Sequence, residues 1–95
     1  MKKALLSCLM ALGSMLASAQ LNMTLLDQLD YTPNTNDIWG WVTPTNGKEY
    51  ALVGLVTGLS IVDVSNPTNI QEVQFIPGAS SSWRDIKTWG NFAYV

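Results

Sequence analysis

The sequence predicts an all-β fold, and three observations point to it. Beyond residue 20, apolar residues alternate in short runs and show no sustained helical spacing. Clusters of Pro, Gly, Asn and Ser separate these runs, as turns separate short strands. Two segments also occur twice: "DIWGW" at 37–41 resembles "DIKTW" at 85–89, and "EYALV" at 49–53 resembles "NFAYV" at 91–95.

The spacing of this repeat predicts the kind of all-β fold. The first pair of segments is 48 residues apart and the second pair 42, because the first copy has the longer hairpin loop. A period of roughly 40 to 50 residues that holds four short strands is typical of a propeller blade. We therefore predict a β-propeller fragment of short antiparallel strands, with an entering strand, one four-stranded blade and the start of a second.

Residues 1–19 are predicted to be a signal peptide. Lys2 and Lys3 precede an apolar run, and "ASA" at 17–19 supplies the small residues of a cleavage site. The run is shorter than the roughly 20 residues that cross a bilayer, so no transmembrane anchor is predicted in this segment. The expectation is Sec-dependent export to the extracellular space or the cell surface, with the periplasm as an alternative.

Residues 20–36 are predicted to form an entering strand and a linker. Met23, Leu25, Leu29 and Tyr31 follow a period of two, and turn residues follow Tyr31. We expect this strand to pair with the last blade of a ring, which would remove an open sheet edge.

Residues 37–77 are predicted to form the first blade. "IWGWV" and "EYALVG" flank an Asn46-Gly47 turn signal and predict a hairpin. "GLSIVDV" at 58–64 and "QEVQFIP" at 71–77 supply the third and fourth strands. Residues 78–95 are predicted to begin a second blade that continues beyond this chain.

A turn clasp is predicted where the third strand ends, formed by Asp63, Ser65, Asn66 and Pro67. The Asp63 carboxylate is expected to accept hydrogen bonds from backbone N–H groups of "SNPTN", and Ser65 to add a weaker bond. Pro67 favours an extended backbone at Asn66. A metal or ligand contact at Asp63 is the alternative, and the structural role is favoured because every blade needs such a turn.

Trp39 and Trp41 are the candidate ligand-binding residues. Both are expected to project from one face of a strand, where aromatic rings can stack on sugars. Trp83 and Trp89 flank the equivalent strand of the second copy. Packing between blades is the favoured alternative, because a large aromatic side chain buries about 150–250 Å². Trp39 is the first candidate if a binding site exists.

The composition of the chain makes some ligands and reactions less favourable than others. The net charge of −2 does not favour nucleic acid, whose phosphates attract basic surfaces. The chain has no histidine, and its single cysteine, Cys8, lies in the predicted signal peptide. No catalytic residue, metal site or cofactor is therefore predicted. Calcium in the oxygen-rich "DQLDYTPNTND" is the alternative, although its spacing differs from an EF-hand.

The segment "GLSIVDVSNPTNI" at 58–70 resembles the LVIVD repeat, an apolar strand ending in Ile-Val-Asp and followed by a Ser/Asn/Pro turn. "NDIWGWVTPTNGKEYALVG" and "SSSWRDIK" are similar to the opening blade of the choice-of-anchor B family of secreted bacterial proteins. Ile70 differs, because the repeat often has a second proline there. The resemblance implies a secreted β-propeller and no established reaction.

These observations favour an exported surface or extracellular module that binds protein or glycan without catalysis. The alternative is a polymer-acting hydrolase or lyase whose active site lies on blades outside this chain. Whether the protein is an enzyme stays open at this point, with the balance against it.

Overall fold

The computed structural model describes residues 22–95, so the predicted signal peptide lies outside the described residues. The described residues form six β-strands: β1 (Thr35–Val42), β2 (Glu49–Leu55), β3 (Gly58–Asp63), β4 (Gln71–Pro77), β5 (Lys87–Trp89) and β6 (Phe92–Tyr94). Within this part of the chain, no helix has the length and apolar character needed to cross a membrane.

The strands form two antiparallel sheets. β1, β2, β3 and β4 lie side by side in chain order, and β5 pairs with β6 in a separate hairpin. A four-stranded meander followed by the first hairpin of a second sheet confirms the predicted all-β fold class.

The two hairpins repeat each other in strand pairing as well as in sequence. Three cross-strand pairs of β1 and β2 recur in β5 and β6: Trp41–Tyr50 as Trp89–Phe92, Gly40–Ala51 as Thr88–Ala93, and Trp39–Leu52 as Lys87–Tyr94. The connections differ, since residues 43–48 join the first pair of strands and Gly90 and Asn91 join the second. Gly47 and Gly90 both adopt positive φ, 69° and 57°, which glycine reaches without the Cβ clash that other residues meet.

Each face of the four-stranded sheet has its own apolar cluster. Face A, defined by Val53, Leu55 and Val62, is covered by Leu29 and Tyr31 of the N-terminal segment.

Face B, defined by Leu52 and Leu59, is covered by Ile86, which leads into β5. Side chains alternate between the faces along each strand, so neighbouring residues of "LSIVDV" serve different clusters. The second hairpin is therefore stacked on face B only.

The N-terminal segment differs from the predicted entering strand. Residues 22–34 form no strand and pair with neither sheet. The segment lies on face A, where Asp27 Oδ2 accepts a hydrogen bond from the Ile70 N–H at 2.8 Å. Side-chain contacts hold it there, whereas a strand needs a neighbouring backbone at a sheet edge to complete its ladder. Its pairing with a further blade stays a prediction.

Candidate functional site between the two sheets

Ile86 anchors the contact between the second hairpin and the first sheet. Its side chain is fully buried against Leu52 and Leu59. Its backbone N–H donates to Asp37 Oδ2 at 2.9 Å, so the start of β1 is tied to the residue before β5. Hydrogen bonds from the N–H groups of Ile86 and Ile38 hold the pKa of Asp37 below its ordinary value of 3.8.

Arg84 strengthens the contact between the second hairpin and the first sheet by donating hydrogen bonds to backbone carbonyl oxygens. Its Nε donates to the carbonyl of Leu55 at 2.9 Å, and a terminal nitrogen donates to the carbonyl of Ala79. The chain passes very close to β2 here: a Cβ built on Gly54 would lie 2.8 Å from the Arg84 carbonyl oxygen. The stacking therefore depends on a glycine at position 54.

Trp39 belongs to this contact between the sheets. Its indole Nε1 donates to Thr88 Oγ1 at 2.9 Å, and Lys87 Nζ lies 4.4 Å from the centre of its ring. The side chain is 36% exposed, but its polar edge and one ring face are already engaged by β5. The geometry places Trp39 as a packing residue; a ligand-binding role for it stays a prediction.

Trp41 has different surroundings, although it shares a strand face with Trp39. It lies opposite Tyr50 in the β1–β2 pairing, with ring centres 6.1 Å apart and ring planes at 32°. Both side chains are half-buried and border a cleft of about 270 Å³ between the sheets. We call this the aromatic cleft; its lining is Trp41, Thr43, Tyr50, Leu52, Ile61, Thr88, Asn91, Phe92 and Ala93.

The loop at residues 43–48, whose first residue Thr43 borders the aromatic cleft, is held by its own hydrogen bonds. Its ends are joined by the Thr43 N–H to the Lys48 carbonyl at 2.8 Å, and the Gly47 N–H returns to the Thr43 carbonyl at 3.0 Å. The Thr43 hydroxyl donates to Asn46 Oδ1, and the Lys48 N–H donates to both side-chain oxygens at 3.1 Å. This network fixes the position of Thr43 at the border of the cleft.

The predicted clasp residues lie at the end of β3. Asp63 Oδ1 accepts the Ser65 N–H at 2.9 Å, and Lys48 Nζ lies 3.6 Å from Asp63 Oδ2. The pKa of Asp63 is lowered chiefly by its hydrogen bonds to Ser65, with the positive charge of Lys48 adding to the effect.

Ser65 and Asn66 extend these contacts. Ser65 Oγ accepts the Glu49 N–H at 2.9 Å, which links the turn to β2, and Asn66 Oδ1 accepts the Thr68 N–H at 3.2 Å. Pro67 is exposed within the same turn. The stability that these four residues contribute stays a prediction.

A second groove lies on face A and was not predicted. It has a volume of about 520 Å³ and is bordered by Leu29, Tyr31 and Ile38 among others. Next to it, the fully buried Ser60 hydroxyl donates to Glu72 Oε2 and so must accept from the Tyr31 hydroxyl at 2.8 Å. The one available signal was Ser60 itself, a polar residue inside an apolar strand.

Among residues 22–95, no three His, Cys, Asp or Glu side chains lie close enough together to hold a metal ion. In the stretch proposed as the calcium alternative, Asp27 bonds to backbone N–H groups of Gln28 and Ile70. Calcium binding stays an untested alternative.

Comparison with known families gives one match. Residues 47–75 match the family model described as the LVIVD repeat. The match includes the predicted segment 58–70 and runs from β2 through the clasp into β4, which supports the predicted repeat family. No match was found among curated proteins or among solved structures.

Proposed function

We propose that this chain is part of an exported β-propeller that acts as a non-catalytic binding module for protein or glycan. Two findings support the propeller: the match to the LVIVD repeat, and the stacking of a second hairpin that repeats the pairing of the first. The signal-like N-terminus supports export to the extracellular space or the cell surface.

The observation that carries the binding function is the aromatic cleft. Trp41 and Tyr50 border it with half-buried side chains, while Ile86 and Arg84 pack or bond directly against the first sheet. Concave, mostly apolar sites with a few polar groups at the border are the usual form of ligand sites. The bonded loop at 43–48 lowers the ordering cost of binding, because little has to be fixed when a ligand arrives.

The test is binding of the full chain to immobilised glycans and extracellular proteins, comparing Trp41→Ala with Trp83→Ala. Trp83 is 91% exposed and lies outside the cleft, so it is a matched control for loss of a tryptophan. We expect a panel member to bind, Trp41→Ala to weaken that binding at least tenfold, and Trp83→Ala to leave it unchanged.

Amide hydrogen exchange in β2 and β3 checks that both variants keep the native fold. Binding that is equally strong in the wild type and Trp41→Ala contradicts the proposed site, and the absence of any bound panel member contradicts the proposed function. Fractionation of the producing cells tests export: retention of the chain in the cytoplasm with an uncut N-terminus contradicts it.

A further inference from the structure

We infer that the aromatic cleft takes one neutral pyranose ring, as a free sugar or as a unit of a glycan. The inference rests on the proposed binding function and names its ligand class. Three properties of the cleft carry it: the absence of ionised side chains from its lining, the arrangement of its two rings, and the polar groups at its border.

The lining of the cleft favours an uncharged ligand. The described residues that border it are aromatic, aliphatic or neutral polar. The charged groups nearby are engaged elsewhere, since Lys48 pairs with Asp63 at 3.6 Å and Lys87 lies over Trp39. A carboxylate or sulfate in the cleft would lose hydration without gaining an opposite charge, which is costly.

The rings of Trp41 and Tyr50 suit a saturated ring. Their centres are 6.1 Å apart, their planes are inclined at 32°, and both residues line the cleft, so a ligand there meets two neighbouring aromatic side chains. The face of an aromatic ring is the negative end of its quadrupole, and it attracts the polarised C–H groups on one face of a pyranose. The volume of about 270 Å³ is close to the lower end of the roughly 300–1,000 Å³ of drug-sized sites, which suits a ligand of about one ring.

The border of the cleft offers partners for sugar hydroxyls. The Thr88 oxygen accepts the Trp39 indole N–H, which leaves the Thr88 hydroxyl proton to be donated. Asn91 lies in the two-residue turn between β5 and β6 and carries both a donor and an acceptor on one amide. A hydroxyl that both donates and accepts matches this mixture, whereas a purely apolar ligand leaves these groups without a partner.

The short connection of the second hairpin lies at the border of the cleft. The first copy of the repeat has the six-residue connection at 43–48, and the second has only Gly90 and Asn91. Phe92, which follows the short turn, lines the cleft and is 70% exposed.

The experiment is titration of the full chain with neutral methyl pyranosides of glucose, galactose, mannose and N-acetylglucosamine, followed by saturation-transfer NMR and tryptophan fluorescence. Methyl glucuronide is the matched anionic control. We expect millimolar binding of at least one neutral pyranoside and at least tenfold weaker binding of the glucuronide.

Variants separate the cleft from other surfaces. Trp41→Ala should weaken pyranoside binding at least tenfold, and Asn91→Ala should weaken it severalfold. Trp41→Phe keeps an aromatic ring if the alanine variant does not fold, and it should weaken binding less than the alanine variant. Trp83→Ala should bind like the wild type.

Two results overturn the inference: no neutral pyranoside binds, or the glucuronide binds equally well. If a panel protein or anionic glycan binds through Trp41 while pyranosides neither bind nor compete, the ligand class is wrong and the proposed binding function stands. If nothing on the panel depends on Trp41 and no pyranoside binds, both are wrong.

Discussion

Replacing isoleucine at the same position of the two repeat copies gives a direct test of the stacking between the sheets. Ile86 and Ile38 are equivalent in the repeat, but Ile86 is 0% exposed and Ile38 is 65% exposed. Truncation of a buried isoleucine to alanine costs about 2–5 kcal/mol, from lost burial and the cavity left behind. Because only about a third of Ile38 is covered, Ile38→Ala should cost about 0.5–1 kcal/mol.

Urea unfolding of the full chain measures this difference as a shift of the midpoint. Amide hydrogen exchange then locates it: in Ile86→Ala, the amides of β5 and β6 should exchange faster, because the hairpin detaches from Leu52 and Leu59. The amides shared by β2 and β3 should keep most of their protection in both variants. Equal destabilisation by the two substitutions, or unchanged exchange in the hairpin of Ile86→Ala, would refute the role assigned to Ile86.

Two further predictions concern the close approach of Arg84 to Gly54 and the charge of Asp63. Gly54→Ala should cost about 1–3 kcal/mol, because its Cβ would lie 2.8 Å from the Arg84 carbonyl oxygen. Gly40→Ala, with nothing within 4 Å of the added Cβ, is its control; equal urea midpoints for the two variants would show that the approach is not tight. The lowered pKa of Asp63 means that its contribution is present above the ordinary pKa of 3.8 and is lost as the pH falls through the folded-state pKa. Asp63→Asn should therefore flatten the decline of the thermal unfolding midpoint below about pH 4. If this decline is the same in the variant and the wild type, Asp63 does not stabilise the turn.

Strand positions were predictable because local residues determine them. The fourth strand was predicted at 71–77, and β4 has these bounds; the third was predicted at 58–64, and β3 ends one residue earlier. Turn residues such as Asn46-Gly47 mark where strands must stop, and alternation marks which residues share a face. The repeated segments indicated two similar units, and the structure gives their hairpins the same register.

The contacts between the sheets were not predictable in the same way, because they join residues far apart in the chain. Nothing local marks Gly54 as the point where Arg84 passes, or Ser60 as the partner of Tyr31. The alternation of residues 23–31 predicted a strand, but alternation also fits a segment whose side chains lie on an existing face.

Trp39 and Trp41 show that knowing which face of a strand a side chain occupies does not predict what covers it. The sequence placed Trp39 and Trp41 on one face of one strand, and it ranked Trp39 first as a binding candidate. In the structure, Thr88 and Lys87 of the second hairpin contact Trp39. Trp41 instead borders the aromatic cleft with Tyr50. The position of the next repeat copy therefore decides which parts of each tryptophan ring are engaged by neighbouring residues.

The position of the neighbouring repeat copy also explains why Ile38 on face A is exposed. Ile86 of the second copy is buried on face B against Leu52 and Leu59, whereas Ile38 at the same position of the first copy keeps 65% of its surface exposed. The N-terminal segment covers Val53, Leu55 and Val62 of face A but leaves Ile38 at the border of the 520 Å³ groove. A surface shaped like face B would bury Ile38 as it buries Ile86. The stacking of one copy on the next thus uses a different face on each side of the blade, which is the arrangement that a ring of blades requires.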